Sequence, residues 1–263
     1  MRKLILLLFI PLVSFGQLTI ETKYNPPEGF ERIYNDGYSK FLRQFPLKNN
    51  NIVKYHYGEE KINNDIWDAV FDYDIGKHDL HQCADASIYL NARFKYDNNN
   101  LEEISYSFTS GYLFKYKNYL NGITPKPYQN SQRRWLVKEE QAEERVNNYE
   151  TFFNYLEILW TWAGTLSVNN LDTKSIEIEE IQPGDIFIKG GSPGHSVTVV
   201  DVVKNNNNNK VLFMLAQSYM PAQENQILIN PQNGSVWYTL DEFKDIITPQ
   251  YLFTVNQLKR FKS

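Results

Sequence analysis

Residues 190–203 read GGSPGHSVTVVDVV and hold the pattern that decides the fold. The glycine-rich start favours a turn, and the valine-rich remainder is typical of a β-strand that packs inside a sheet. The asparagine-rich residues 205–209 then predict a solvated loop, and the apolar run 211–216 is the expected antiparallel partner on its far side. His195 lies where the turn meets the strand, so the sheet holds its backbone while its side chain is able to face a cleft.

Working outward from this hairpin, we expect helices in the first part of the chain and strands in the last third. Apolar side chains repeat on one face of residues 149–166, a second helix is expected from residue 80 to about 96 with Asp79 as its cap, and a third within 29–45. Residues 111–141 are expected to form an irregular surface excursion. This order predicts an α+β fold. Further strands are expected at residues 69–75, 102–109, 185–189, 227–229, 236–238 and 251–255.

The first sixteen residues have the composition of a cleavable export signal. A positively charged start precedes a short apolar run and small residues at the two positions that a signal peptidase reads. The apolar run is too short to cross a bilayer as a helix. We therefore predict cleavage before Gln17, a single globular domain over residues 17–263, no integral membrane segment after cleavage, and a location in the periplasm or outside the cell.

Composition restricts the partners of the exported domain. A net charge of -4 and an isoelectric point near 5.7 supply no basic face for a phosphate backbone, so nucleic acid is not expected as a partner. Aromatic residues make up 15% of the chain, and some of these rings are expected at the surface. A non-catalytic module of the cell envelope that binds glycan or peptide is therefore one functional hypothesis.

Cys83 is the only cysteine in the sequence, so no internal disulfide can form. It is expected in the first turn of a helix, where the helix dipole and a nearby histidine would favour the thiolate. The alternative is a buried cysteine that acts as a small hydrophobic residue. A metal site formed by His78, His81 and Cys83 is a weaker alternative, because the spacing would need a fourth ligand from elsewhere. No metal or cofactor is therefore expected.

The predicted hairpin supplies the other two candidate site residues. If the hairpin is symmetric about the asparagine run, then Gln217, Ser218 or Tyr219 returns beside the His195 ring. Cys83, His195 and Gln217 would then be the parts of a cysteine–histidine–polar hydrolase. The alternative for His195 is a structural histidine whose ring bonds to the backbone of the turn.

Two local strings resemble a known class of peptidases. A cysteine on an early helix, a histidine on a sheet strand and an orienting residue one strand further on is the arrangement of papain-like folds. Residues 182–187 (QPGDIF), followed by residues 194–197 (GHSV), resemble the histidine half of the NlpC/P60 cell-wall peptidases. The spacing departs from those peptidases, because 100 residues separate Cys83 from Pro183 here and the helix at 149–166 has no cysteine.

A second resemblance extends over most of the mature chain, to the bacterial envelope family catalogued as domain of unknown function 4846. That family lends no activity, although Cys83, His195 and Gln217 all fall inside its motifs. The matching strings are DL at 79–80, CADA at 83–86, AGTLS at 163–167, GGSPGH at 190–195 and LAQSYMPAQ at 215–223.

These observations predict an exported α+β domain, papain-like in layout, that acts as a thiol hydrolase or amidase on peptide-type bonds of the cell wall. Peptidoglycan or its peptides would be the substrate. In this hypothesis Cys83 attacks, His195 takes and returns the proton, and Gln217 either orients the imidazole or helps to hold the oxyanion.

Overall fold

The computed structural model describes residues 16–240 and 245–262, so the predicted export signal lies outside the described residues except for Gly16. The mixture of helices and an antiparallel sheet confirms the predicted α+β class. The helices are α1 (Ile20–Lys23), α2 (Gly37–Gln44), α3 (Cys83–Asp97), α4 (Tyr116–Leu120), α5 (Tyr149–Trp162) and α6 (Thr165–Ser167). The strands are β1 (Phe30–Arg32), β2 (Trp67–Val70), β3 (Ser105–Ser107), β4 (Leu113–Lys115), β5 (Ile123–Gln129), β6 (Trp135–Gln141), β7 (Thr173–Ser175), β8 (Ile186–Lys189), β9 (His195–Asn205), β10 (Val211–Gln217), β11 (Gln226–Leu228), β12 (Tyr238–Thr239), β13 (Ile246–Ile247), β14 (Leu252–Phe253) and β15 (Leu258–Phe261).

One antiparallel sheet organises the described part of the chain. Its main path runs β2-β11-β10-β9-β8-β15-β7, with β1 also paired to β9 and β12 to β10. The prediction that residues 251–255 join this sheet is wrong, because β14 pairs with β13. Strand β15 instead lies between β8 and β7.

Strand β9 is buried on both faces, which explains its almost uninterrupted valine content. Val200 and Val203 pack into a cluster that includes buried residues of α3 and α5. Val197, Val199 and Val202 pack into a second cluster on the other face, with residues of β8, β10 and β14. The helices therefore cover one face of the sheet, and shorter strands and loops cover the other.

The register of the central hairpin is the predicted one. Ala216 pairs with Thr198 and Leu215 with Val199, after an irregularity between Met214 and Leu215. Continued past Ala216 toward the glycine-rich turn that precedes β9, this register brings the next residues to the level of the first residues of β9.

Helix α3 lies against β9 and begins later than predicted. The predicted cap, Asp79, is wrong: the N-cap is Gln82, whose backbone N–H donates to Asp85 Oδ2 at 3.1 Å. Asp79 Oδ1 instead accepts from the Gln82 side chain at 3.1 Å and from the backbone N–H of Ala222 at 2.6 Å, so it ties the loop before α3 to the segment after β10. Cys83 is consequently the first residue of the helix.

The predicted irregular excursion at residues 111–141 is wrong in its structure, although it does lie at the surface. It contains β4, α4 and a seven-pair hairpin of β5 and β6, in which Ile123 faces Gln141 and Gln129 faces Trp135. We call the β5–β6 hairpin the arm. Most of its residues are exposed, so neither strand shows the apolar alternation that marks a half-buried strand.

None of the described helices combines the length and the apolar character that a membrane crossing needs.

A buried ion cluster fixes β9 to the N-terminal elements. Asp201, which is fully buried, lies 2.8 Å from Arg32 Nε and 2.5 Å from Arg43 Nε. Arg43 is itself only 2% exposed, and it also donates to the backbone oxygen of Tyr34 at 3.0 Å. The carboxylate of Asp201 therefore balances the charge of two guanidinium groups, whose remaining hydrogen bonds go to backbone oxygens such as those of Tyr24 and Tyr34.

We predict that Asp201→Ala lowers the free energy of unfolding by about 3–5 kcal/mol, because it leaves two guanidinium groups without their buried partner. Urea denaturation of residues 17–263 measures the change. Asp97→Ala is the matched control: its carboxylate pairs with Arg93 at 2.7 Å on the surface of α3, and we expect a loss below about 1 kcal/mol. Equal losses in the two variants would contradict the role given to the cluster.

Candidate functional site

A cleft of about 550 Å³ opens where the first turn of α3, the end of α5 and the glycine-rich turn before β9 meet. All three segments carry residues that the sequence singled out. The cleft is lined by Asp79, Leu80, Gln82, Cys83, Ala84, Asp85, Trp160, Thr161, Ala163, Gly164, Thr165, Gly191, Ser192, Pro193, Gly194, Tyr219, Met220 and Tyr251.

Cys83 lies in the wall of this cleft with 9% of its surface exposed. Burial, followed by the charge of Asp85, raises the pKa of the thiol to about 11, although the backbone N–H groups of Ser196 and Ala84 act in the opposite direction. The resting side chain is therefore a neutral thiol at pH 7. Cys83 is the first residue of α3, and the first N–H groups of a helix have no intrahelical partners, so such groups lie near the thiol.

His195 makes a hydrogen bond with one of the three side chains predicted to lie beside it. His195 Nε2 is 2.7 Å from Gln217 Oε1, and Gln217 Nε2 donates to Gln250 Oε1 at 2.7 Å. Because the amide nitrogen is engaged with Gln250, the amide oxygen faces the imidazole and accepts its Nε2–H. The chain of bonds leaves Nδ1 as the basic nitrogen of the neutral ring.

The imidazole is almost completely buried, with 2% of the residue exposed. Burial lowers the pKa of His195 to about 4, and the bond to Gln217 offsets this only in part. The ring is therefore neutral at pH 7. Its environment is aromatic, since the centroids of Tyr219, Tyr251 and Phe253 lie 4.9, 5.1 and 5.9 Å from that of the imidazole.

The thiol lines the cleft, whereas the imidazole does not line it but packs against two rings that do. Burial, followed by the charge of a Cys83 thiolate, raises the pKa of both Tyr219 and Tyr251, the two rings that pack on His195 and also line the cleft. Ser196, the residue after the histidine, has its backbone N–H next to the sulfur. No hydrogen bond joins the Cys83 sulfur to the His195 ring.

The other two residues predicted beside the imidazole have different surroundings. Ser218 Oγ lies 2.9 Å from the carbonyl oxygen of His81 and 2.7 Å from that of Gln223, so it braces the loop before α3. Tyr219 packs on the ring without a hydrogen bond to it. Gln217 is therefore the polar partner.

The alternative metal site gains no support from the positions of its residues. His81 is buried between the Tyr73 hydroxyl at 3.1 Å and the carbonyl oxygen of Gln223 at 3.4 Å, and His78 lies 3.1 Å from Glu157. Across residues 16–240 and 245–262, no three histidine, cysteine or carboxylate side chains are grouped as metal ligands.

Asp85 is a residue of the cleft that the sequence analysis missed. It is 6% exposed; Oδ2 accepts the N-cap hydrogen bond, and Oδ1 has no hydrogen-bond partner. Burial raises the pKa of this carboxyl to about 8. An acidic residue three positions after the N-cap is a recognisable capping signal, but the misplaced cap at Asp79 hid it.

Taken together, the fold and the cleft define an α+β protein with a cysteine at a helix N-terminus and a glutamine-bound histidine at the start of the strand beneath it. The chain belongs to the family described as Domain of unknown function (4846), whose model matches residues 20–260. This confirms the broader of the two resemblances. No curated protein and no solved structure matched the chain significantly. The local resemblance to the NlpC/P60 peptidases gains no support from these comparisons, and the papain-like layout stays a prediction.

We predict that Asp85→Asn increases the reactivity of Cys83 above pH 8. There the wild-type carboxylate is ionised and its charge disfavours the thiolate, whereas asparagine is neutral and still accepts the cap hydrogen bond. Alkylation by iodoacetamide between pH 8 and 10, followed by intact mass, should be about threefold faster or more in the variant, which corresponds to half a pKa unit.

The matched control for this measurement is Asp79→Asn, a second acid of the same cleft whose charge is not among the causes of the Cys83 shift. Its alkylation rate should stay close to that of the wild type. An unchanged or slower rate in Asp85→Asn would show that burial alone sets the pKa of the thiol.

Proposed function

We propose that this protein is an exported thiol hydrolase or amidase that cleaves peptide-type bonds of the cell envelope, with peptidoglycan or its peptides as substrate. The observation that carries the proposal is the 2.7 Å hydrogen bond between His195 Nε2 and Gln217 Oε1, which lies beside the cleft that Cys83 lines. A cysteine on a helix N-terminus, a histidine on a strand and an orienting amide on the next strand form the papain-like arrangement.

The amide chain supports a functional histidine over a purely structural one. A structural ring could be satisfied by the backbone of the glycine-rich turn, but His195 is instead held by a side chain that Gln250 orients in turn. This arrangement fixes one tautomer and leaves Nδ1 free to accept a proton. Since Gln217 is buried, accepts from the imidazole and does not line the cleft, its proposed role is to orient the imidazole and not to hold the oxyanion.

The proposed reaction has two stages. In the first, Cys83 Sγ attacks the carbonyl carbon while His195 Nδ1 takes the thiol proton; the tetrahedral intermediate then expels the amine, which receives that proton, and a thioester remains. In the second, water attacks the thioester and gives a proton to His195, which returns it to the departing sulfur. The backbone N–H groups at the start of α3 are the proposed oxyanion donors.

Proton transfer is proposed to accompany the attack and not to precede it. The pKa of the thiol lies near 11 and that of the imidazole near 4, so the unliganded pair is neutral at pH 7. An ion pair in so dry a site would cost more desolvation free energy than it gains. This places the proposed enzyme closer to general-base catalysis than to a preformed thiolate–imidazolium pair.

We predict that the mature protein releases new amino groups from purified peptidoglycan or from its isolated peptides, and that Cys83→Ala abolishes the release because the nucleophile is lost. His195→Ala should reduce kcat by about 10²–10⁴-fold, the usual contribution of a general base. Gln217→Ala should lower kcat with little change in KM, because it affects the orientation of the base and not substrate binding. Mass spectrometry of the released fragments provides the assay.

His56→Gln is the control, since His56 is only half-buried and lies outside the cleft. Thermal unfolding of each variant separates loss of chemistry from loss of fold. Hydrolysis by Cys83→Ala at the wild-type rate would contradict the proposal. So would the absence of both released amines and an acyl adduct on Cys83, and binding without turnover would then favour the non-catalytic module.

A further inference from the structure

A second groove, of about 500 Å³, adjoins the Cys83 cleft. The two share Thr161 and Ala163 at the end of α5, so they form one continuous surface. The far wall of the second groove comes from Trp135 at the start of the arm's second strand. We call this region the aromatic groove.

Core packing does not account for the aromatic residue on the arm. Trp135 is 46% exposed, and the strand that carries it is exposed along most of its length. Its ring meets that of Trp162 edge to face, with centroids 4.9 Å apart and an interplanar angle of 62°. Phe108 lies behind Trp162 at 6.4 Å. The groove therefore presents an aromatic surface to solvent. Such exposure is unusual for a tryptophan, and packing in the core does not explain it.

The polar groups of the aromatic groove indicate the charge of its occupant. Arg134 lines it and forms no ion pair with a carboxylate of the described residues, and no acidic residue is part of the lining. Thr109, Ser110 and Thr161 also line this surface, and the hydroxyl of Thr161 donates to the carbonyl oxygen of Glu157 at 2.8 Å. A ligand that is hydroxyl-rich, flat-faced and anionic fits this combination, and a cationic ligand does not.

We propose that the aromatic groove binds a pyranose ring of an acidic glycan, with the apolar face of the sugar on Trp135 and Trp162 and its carboxylate toward Arg134. An apolar peptide side chain fits less well, because it would leave the guanidinium of Arg134 without a partner. The glycan-binding step stands without any hydrolase chemistry. Only the corollary that the bound glycan brings a peptide on another sugar of the same strand to Cys83 rests on the proposed function, because the sugar in the groove keeps its carboxylate free.

The test is isothermal titration calorimetry with three soluble probes. The first is an oligosaccharide of alternating N-acetylglucosamine and N-acetylmuramic acid, the second a neutral N-acetylglucosamine oligomer of equal length, and the third the wall peptide without sugar. The acidic oligosaccharide should bind most tightly. Trp135→Ala should weaken its binding at least about tenfold, the size of one base–aromatic stacking contact, whereas Trp135→Phe should retain most of the affinity.

Arg134→Gln should weaken the binding of the acidic oligosaccharide and leave the binding of the neutral oligosaccharide unchanged. Leu136→Ala is the matched control, because Leu136 is 40% exposed and points to the opposite face of the same strand. Cys83→Ala should bind the oligosaccharide like the wild type even where hydrolysis is lost, which separates this inference from the proposed function. Three results would overturn the proposal of a glycan-binding groove. They are glycan binding that is insensitive to Trp135→Ala, no binding of either glycan, and Trp135-dependent binding of the peptide alone.

Discussion

The contact between α3 and the start of β9 determines the rest of the site. Ser87, one turn into the helix, lies 3.2 Å from Ser196 Oγ and 2.9 Å from Thr198 Oγ1, and all three hydroxyls are buried. Small side chains at this contact let the helix approach the strand closely, and the hydroxyl bonds fix its position along the strand. The first residue of the helix is thereby held over the first residues of the strand, so Cys83 lies next to the backbone N–H of Ser196 although 112 sequence positions separate it from His195.

The same close packing sets the electrostatics of the cleft. Burial raises the pKa of the Cys83 thiol and of the Asp85 carboxyl and lowers the pKa of the His195 imidazole. In each case it favours the neutral form, as burial does for any ionisable group that lacks a charged partner. A cleft made of three neutral but titratable groups is responsive to charge, because a ligand that brings even one ion changes the protonation of its neighbours. Solvent exclusion therefore links the fold to the proposed chemistry.

The sequence predicted those parts of the molecule whose pattern is local. The hairpin of β9 and β10 follows from valine-rich runs on either side of an asparagine loop, and its register placed Gln217 beside His195. The arm was missed because β6 is exposed along most of its length and neither strand shows an apolar alternation. The docking of α3 could not be derived either: eleven of its fifteen residues are buried, so it has no single apolar stripe that would reveal which face meets the sheet. Asp85 was missed for a related reason, since its role depends on where the helix begins.

The backbone hydrogen bonds of the arm are separate from those of the sheet that carries His195 and Gln217. The arm's seven residue pairs bond to each other and not to the large sheet. Insertions, deletions or substitutions in β5 and β6 therefore leave the strands that carry His195 and Gln217 intact. Relatives with a longer, shorter or differently decorated hairpin could exchange one ligand for another while they keep the same cleft, so recognition and reactivity are free to diverge independently.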